Sequence, residues 1–305
     1  MVGMSRLQPS LVIAGAPRCG TTSLFRWLAD HPQIGSSSVK ETFFLMDDGV
    51  TVKNRGRYLQ QGLDGYAAFF QHLDPLPAQL MEATPGYLYQ QTALRVFAEE
   101  LTETKLLFVL RRPADRLLST YRYFATNWAE LDRDEVDFFR YVEWTKRGDD
   151  RLKHSSFLQH GFDHGFYAKW LQPWFDRCGA ERIRVLVFES WRQDRVQGMR
   201  ELADWLKVDA NFYDDYGYPK ENEAYAVRRA GLQKINRHVR EWIPEGGLRR
   251  LLKRLYRKTN TRAGRESTSD RDLETLRQLD ADYAADAGRL RDQFGLDVAP
   301  WEQPR

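Results

Sequence analysis

Cysteine is scarce in this chain: Cys19 and Cys178 are the only two among 305 residues. Two thiols cannot build a disulfide framework or a cysteine cage for a metal, and such sparse usage points to a reducing compartment. Long apolar runs are missing as well. No stretch reaches the roughly 18 consecutive apolar residues of a membrane-spanning helix, and Met1 to Ser10 lacks the apolar centre of a secretory leader. Neither sign of charge dominates, because the formal net charge is only +3. Any basic surface must therefore be local. Internal repeats, low-complexity tracts and clear linkers are also absent. These absences lead to the expectation of one soluble, cytoplasmic domain over residues 1–305. What remains is 42% hydrophobic and 29% charged, enough to bury a core and unlike a disordered chain.

The apolar segments alternate in type. Leu11 to Ala14 is a short buried run ended by Gly15, and Thr21 to Asp30 carries Leu24, Phe25, Trp27 and Leu28 at helical spacing before His31-Pro32. Gln79 to Ala83 is a weaker strand broken by Pro85-Gly86. Lys105 to Leu110 is the strongest strand, with a helix beginning near Pro113. Ile183 to Phe188 is the last, followed by a helix from about Arg195 to Leu206. Strands alternating with helices predict a parallel sheet covered on both faces, an α/β fold. After about residue 220 the strand signal fades and helix takes over. Val50 to Phe70 and Thr126 to His164 read as loop-rich.

Candidate chemistry gathers where the strands end. Gly15-Ala16-Pro17-Arg18-Cys19-Gly20-Thr21-Thr22 lies between the first strand and the first helix. Its glycines let the backbone turn close to an anion, and the amides of the following helix N-terminus point into the loop. A nucleotide-hydrolysing P-loop needs G-x-x-x-x-G-K-[ST], with lysine on the outer phosphates and the hydroxyl on Mg²⁺. Here Thr21 stands at the lysine position and the cation is Arg18, inside the loop. The pattern suits an anion but not a metal-bound triphosphate; a ligand-free strand-to-helix turn is the plain alternative.

A second anion element follows the strongest strand, from Leu110 to Tyr121. Arg111 falls at the strand's carboxyl end, where open parallel sheets bind ligands, and Ser119 lies two turns into the next helix. Arg116 reads as a structural salt-bridge partner. Two anion sites at adjacent strand ends suit a nucleotide phosphorylated at two separate places.

These residues carry a resemblance. The Gly15–Leu24 loop is similar to the 5′-phosphosulfate loop of sulfotransferases that use 3′-phosphoadenosine-5′-phosphosulfate (PAPS). Leu110–Tyr121 resembles that family's 3′-phosphate element. Lys40-Glu41-Thr42-Phe43-Phe44 and Glu82-Ala83-Thr84-Pro85-Gly86-Tyr87 resemble segments of the heparan-sulfate-type branch and its bacterial relatives. Gly165–Trp170, Phe188-Glu189 and the stretch from Phe294 to Trp301 follow the same branch. The resemblance implies a P-loop-like three-layer domain, a central parallel sheet flanked by helices, with a helical C-terminal part. It also implies direct transfer of a sulfuryl group from PAPS to a hydroxyl, releasing PAP, with no metal. By position, Arg18, Cys19, Gly20, Thr21 and Thr22 should bind the 5′-phosphosulfate, and Arg111 and Ser119 the 3′-phosphate. Arg18 should also neutralise charge on the leaving oxygen. Glu41 takes the general-base position beside Lys40, with Phe43 and Phe44 as an apolar wall that raises its basicity. A plain Lys40–Glu41 ion pair or a helix-cap role is the competing reading for Glu41.

Two departures from the branch pattern matter. The branch's lysine in Glu-Lys-Thr-Pro is Ala83 here, which argues against a highly anionic acceptor. Its late Lys-Gly-Arg nucleotide loop is represented by Arg262-Ala263-Gly264-Arg265, which assigns Gly264 and Arg265 to nucleotide binding, with a solvated turn as the alternative.

Residues 228–258 interleave basic and apolar positions as a pair of amphipathic helices broken at Pro244-Glu245-Gly246-Gly247. Such a face can contact a membrane surface peripherally or an acidic acceptor, or simply pack on the core. No nucleic-acid docking motif accompanies it. His154, His160 and His164 read as loop or acceptor-pocket residues. Trp144, Trp170, Trp174 and Trp191 read as packing residues, some able to stack on a sugar. The expected acceptor is a carbohydrate, glycolipid or hydroxylated natural product. The competing functions are a P-loop kinase for a small metabolite, which Thr21 disfavours, and a non-catalytic module that binds PAP or membranes.

Overall fold

The computed structural model describes residues 7–48, 50, 57–125, 131, 136–219 and 268–305 in full, together with the backbone of 225–227 and 261–263. Five strands form one parallel sheet in the order β2-β3-β1-β4-β5: β1 Leu11–Gly15, β2 Ile34–Ser36, β3 Gln79–Ala83, β4 Lys105–Leu110 and β5 Ile183–Val187. The central strands read as apolar runs because both faces are covered: all of β1 is buried, and β4 is buried beyond Lys105. On the edge strand β5, Arg184 is exposed.

Helices cover the sheet as the periodicity predicts. They are α1 Thr21–Ala29, α2 Tyr58–Gln61, α3 Gln91–Glu99, α4 Pro113–Tyr123, α5 Phe138–Arg147, α6 Ser156–Gln159, α7 Tyr167–Cys178, α8 Phe188–Gln193, α9 Arg195–Leu206, α10 Asp270–Phe294 and α11 Ala299–Glu302. The long α10 begins with a Ser269–Asp272 capping box and stops at Gly295, whose φ is 65°. Its buried Leu276, Leu279, Tyr283 and Leu290 recur at helical spacing, and the helix packs on α4, α5 and α7. Leu276, Leu279 and Tyr283 join Leu117, Phe138, Tyr141 and Leu158 in a second core beside the sheet's own.

The fold class is thus the one the sequence indicates: a parallel five-stranded sheet between helices with a helical C-terminal part. Local corrections are instructive. The three-residue β2 is too short for an alternation pattern to register. The stretch after residue 220 is not purely helical, because Tyr225–Val227 and Thr261–Ala263 pair as an antiparallel ribbon, β6 and β7. Within Thr126 to His164, read as loop-rich, the described residues hold α5, capped by the Asp137 side chain, and the short α6. In the Val50–Phe70 stretch, α2 is followed by a 3₁₀ run from Leu63 to Phe69. Phe188 opens α8 rather than ending β5. The basic amphipathic segment 228–258 lies outside the described residues.

Beyond β1 the chain first builds β2, on the far side of β3, and then β3, beside β1. It next crosses over β1 to place β4 and β5 on the other side. The crevice between the carboxyl ends of β1 and β4 is where open α/β sheets hold ligands.

Candidate active site

Both anion elements open into that crevice. At the end of β1 the loop turns through Arg18, with φ 70°, and Gly20, with φ 86°. Gly20 then acts as the N-cap of α1 without any side-chain cap; the Ser23 amide turns back to the Gly20 carbonyl at 3.1 Å, which leaves the amides of Thr21 and Thr22 to face an external acceptor. Only glycine fits here. A Cβ on Gly20 would lie 2.7 Å from the Phe188 ring, which packs over the loop from the start of α8.

Arg18 is half-buried and reaches across the crevice. Its Nε donates to Ser119 Oγ at 3.3 Å, and its guanidinium lies 4.3 Å from the Tyr123 ring centroid. Arg111, just beyond β4, donates to the Arg18 carbonyl at 3.5 Å and stacks on Phe188 at 5.4 Å. Burial lowers the Arg18 proton affinity; Tyr123 opposes that shift, Arg111 adds to it, and Glu41 also opposes it. Arg18, Arg111 and Ser119 therefore form one cluster rather than two separate groups, and Glu41 is close enough for its charge to act there.

Thr21 is buried and Thr22 half-buried on the first turn of α1. The Cys19 side chain turns away from the crevice: its thiol is fully buried, 3.6 Å from the Tyr167 hydroxyl, and burial pushes it up to about 11. Cys19 can serve an anion only through its backbone. Gly264 and Arg265 lie outside the described residues.

Lys40 and Glu41 follow β2 at the edge of the crevice. Lys40 Nζ pairs with Glu41 Oε1 at 2.6 Å, and the two side chains are 18% and 40% exposed, so the competing ion-pair reading is realised. The expected apolar wall is not. Phe44 points into the core against Tyr66 and Phe69, while Phe43 is half-buried. Glu41 and Phe43 both sit at positive φ, 65° and 53°, a conformation that costs a non-glycine residue about 1–2 kcal/mol.

Arg116 and His164 depart from the sequence reading, whereas the buried tryptophans follow it. Arg116 makes no ion pair among the described residues; it is buried and donates to the Gly161 carbonyl. His164 is a core residue, stacked 3.8 Å from Tyr89, and burial holds its imidazole well below the usual range. Trp174 and Trp191 are buried, whereas Trp144 stacks with Arg151 at 4.1 Å. No metal-binding cluster occurs among the described residues, nor any helix long and apolar enough to cross a membrane.

Two acids that the sequence reading placed in family-like segments, without giving either a role, make notable contacts. Glu189 accepts the Arg112 amide at 3.1 Å and the Trp301 indole at 2.8 Å, tying α11 to the turn after β4. Glu82 is fully buried on β3, and desolvation raises it to about 7 despite hydrogen bonds from Thr84 and Thr42. A lone acid in the run Leu80-Met81-Glu82-Ala83 was the available signal.

Comparison with known proteins gives the family and the fold. The chain is 25% identical over 215 residues, 66% of its length, to a bifunctional heparan sulfate N-deacetylase/N-sulfotransferase of Drosophila melanogaster. It is 33% identical over 128 residues, 41% of its length, to the membrane-associated sulfotransferase kil1 of Dictyostelium discoideum. It spans only 20% and 25% of those two relatives. A mouse heparan sulfate glucosamine 3-O-sulfotransferase 3B1 is 24% identical over 72% of the chain and 52% of that protein. In fold, the chain resembles a crystal structure of a sulfotransferase from Alicyclobacillus acidocaldarius, with TM-score 0.66 and 22% identity over 97% of this chain and 99% of that one. The sulfotransferase domain model matches residues 8–229, so the chain belongs to the sulfotransferase domain family.

Proposed function

We propose that this sulfotransferase moves the sulfuryl group of PAPS onto a hydroxyl of a carbohydrate, glycolipid or hydroxylated natural product, by direct in-line transfer. The observation that carries the reading is the cluster of Arg18, Arg111 and Ser119 in the crevice beside the free N-terminus of α1. Donors from two strand ends suit an adenosine nucleotide with phosphates at two positions. The close Phe188 ring over Gly20 leaves a backbone cradle that no side chain fills.

In this reading the first-turn amides and the hydroxyls of Thr21 and Thr22 hold the 5′-phosphosulfate, and Arg111 and Ser119 hold the 3′-phosphate. Arg18 neutralises the charge that grows on the leaving oxygen, as a hydrogen-bonding cation rather than a proton donor. The acceptor oxygen–sulfur bond forms as the bond from sulfur to the 5′-phosphate oxygen breaks, and Glu41 takes the acceptor's proton. Lys40, paired with Glu41 in this structure, moves its charge toward the transferring group when that pair opens. Relatives named for heparan sulfate N- and 3-O-sulfation support a carbohydrate-type acceptor. Ala83, in place of the branch's lysine, favours one of low charge.

Calorimetric titration with PAP and with ATP, each with and without Mg²⁺, tests the nucleotide. The expected result is metal-independent PAP binding in the micromolar range, clearly tighter than ATP. Metal-dependent ATP binding with no response to PAP would replace this reading with a kinase. Labelled PAPS offered with panels of neutral sugars, glycolipids and phenols then identifies the acceptor.

A further inference from the structure

The positive φ angles at Glu41 and Phe43 need an explanation, because such backbone persists only where its surroundings over-determine it. Four amides of the segment 41–45 are held. Glu41 N donates to the Ala83 carbonyl at 2.8 Å, and Phe43 N to Thr84 Oγ1 at 3.2 Å. Phe44 N donates to Thr42 Oγ1 at 3.3 Å, and Leu45 N to the Tyr87 hydroxyl at 3.2 Å.

Three of those acceptors are hydroxyls, and the two threonine hydroxyls could equally donate elsewhere. What fixes them is Glu82. Thr42 Oγ1 donates to Glu82 Oε1 at 2.7 Å, and Thr84 Oγ1 donates to the same oxygen. With their protons committed to one carboxylate oxygen, both threonines must present lone pairs to the amides of Phe43 and Phe44. The Thr42 hydroxyl also lies 3.1 Å from that of Tyr87, which extends the chain to Leu45. The second carboxylate oxygen, Oε2, is buried without a hydrogen-bond partner, and Lys40 exerts its charge on this group. A lone buried carboxylate is a costly way merely to fill β3.

We propose that Glu82 is the positioning residue of the site: by setting the direction of the Thr42 and Thr84 hydroxyls it locks the 41–45 backbone and so aims Lys40 and Glu41 into the crevice. The proposal rests on the reading of Glu41 as the base, and its test separates the two.

Amide hydrogen exchange with PAP bound reads the lock without any acceptor. In Glu82→Ala, amides across 41–45 should exchange at least about tenfold faster, while PAP affinity stays within about threefold. PAP release from PAPS, with an acceptor found in the screen above, should slow at least about tenfold. Glu82→Gln, which keeps an oxygen in the Oε1 place, should recover most of both losses. Should Glu82→Ala fold poorly, Thr84→Val removes the same link with little change of shape. In a Glu41→Gln background, Glu82→Ala should slow release no further, since it acts through Glu41. Unchanged exchange in both Glu82→Ala and Thr84→Val overturns the proposal, as does faster exchange with undiminished turnover. Full activity in Glu41→Gln alone overturns the base assignment and leaves the lock on 41–45 standing.

Discussion

Arg18 and Ser119, separated by 101 positions in sequence, are joined by a 3.3 Å hydrogen bond from Nε to Oγ. The loop cation and the α4 hydroxyl thus meet in the crevice. In the proposed reading the bond links the 5′-phosphosulfate loop to the 3′-phosphate helix, so a bound nucleotide draws each side chain to its own phosphate. Ser119→Ala removes one donor to a doubly charged group, a loss of about 1.5–3 kcal/mol. PAP affinity measured by titration should fall roughly 10- to 100-fold, and an unchanged value would remove Ser119 from the nucleotide site.

Reversing the charge of Arg111 has a larger effect. The residue donates to the Arg18 carbonyl and stacks on Phe188, so Arg111→Glu both repels the anion and loosens the loop. PAP binding should fall by at least about 100-fold, while the far-ultraviolet dichroism of the folded chain stays as in the parent. Undiminished affinity would refute the 3′-phosphate assignment.

Glu41→Gln keeps the size of the side chain and its polar contacts but cannot take a proton. Turnover of PAPS with an acceptor should drop by about 100- to 10,000-fold, the range for a general base, with PAP affinity within about twofold. Such a split separates catalysis from binding. A variant with both properties intact would return Glu41 to the role of Lys40's ion-pair partner.

Gly20→Ala tests the cradle itself. Alanine at φ 86° costs about 1–2 kcal/mol, and its Cβ would press on the Phe188 ring at 2.7 Å. Thermal unfolding should shift down by a few degrees, and PAP affinity should weaken at least about tenfold as the α1 amides move. Parent-like affinity would mean that the loop does not hold the nucleotide.

Glu82 gives the fold a pH signature. Its ordinary value of 4.5 rises to about 7 in the folded chain, chiefly through desolvation. Between those values the folded chain keeps a proton that the unfolded chain has released. Folding therefore takes up a proton in that window, and stability falls as pH rises through it, reaching its full cost above about pH 7. Glutamine does not titrate. The unfolding free energy of Glu82→Gln relative to the parent should rise by about 2–3 kcal/mol between pH 5 and 8. Parallel denaturation curves across that range would show that Glu82 titrates as an ordinary carboxylate.

Much of this protein was legible before any coordinates. The apolar runs at Leu11–Gly15 and Lys105–Leu110 read as buried strands, which they are, and the helix starting at Pro113 agrees with its proline at the first position. The glycine-flanked loop with Arg18, and Arg111 with Ser119 after β4, are local patterns, and local patterns are what a sequence displays. The three-residue β2 and the β6–β7 ribbon were not legible, because so few residues carry no periodicity and pairing partners 38 positions apart, such as Tyr225 and Ala263, leave no local trace.

The sequence by itself determined the layers, the place of the glycine-flanked loop and of the Arg111–Ser119 segment, and the resemblance to the sulfotransferase family that these segments carry. Only the tertiary structure decided which side chains face the crevice. It turned Cys19 and His164 inward and Phe44 into the core, gathered Arg18 with Ser119, and buried Glu82 under Thr42 and Thr84. The reason is physical: a strand or loop pattern fixes backbone direction and periodicity, whereas desolvation and the closing of hydrogen bonds depend on residues distant in the chain.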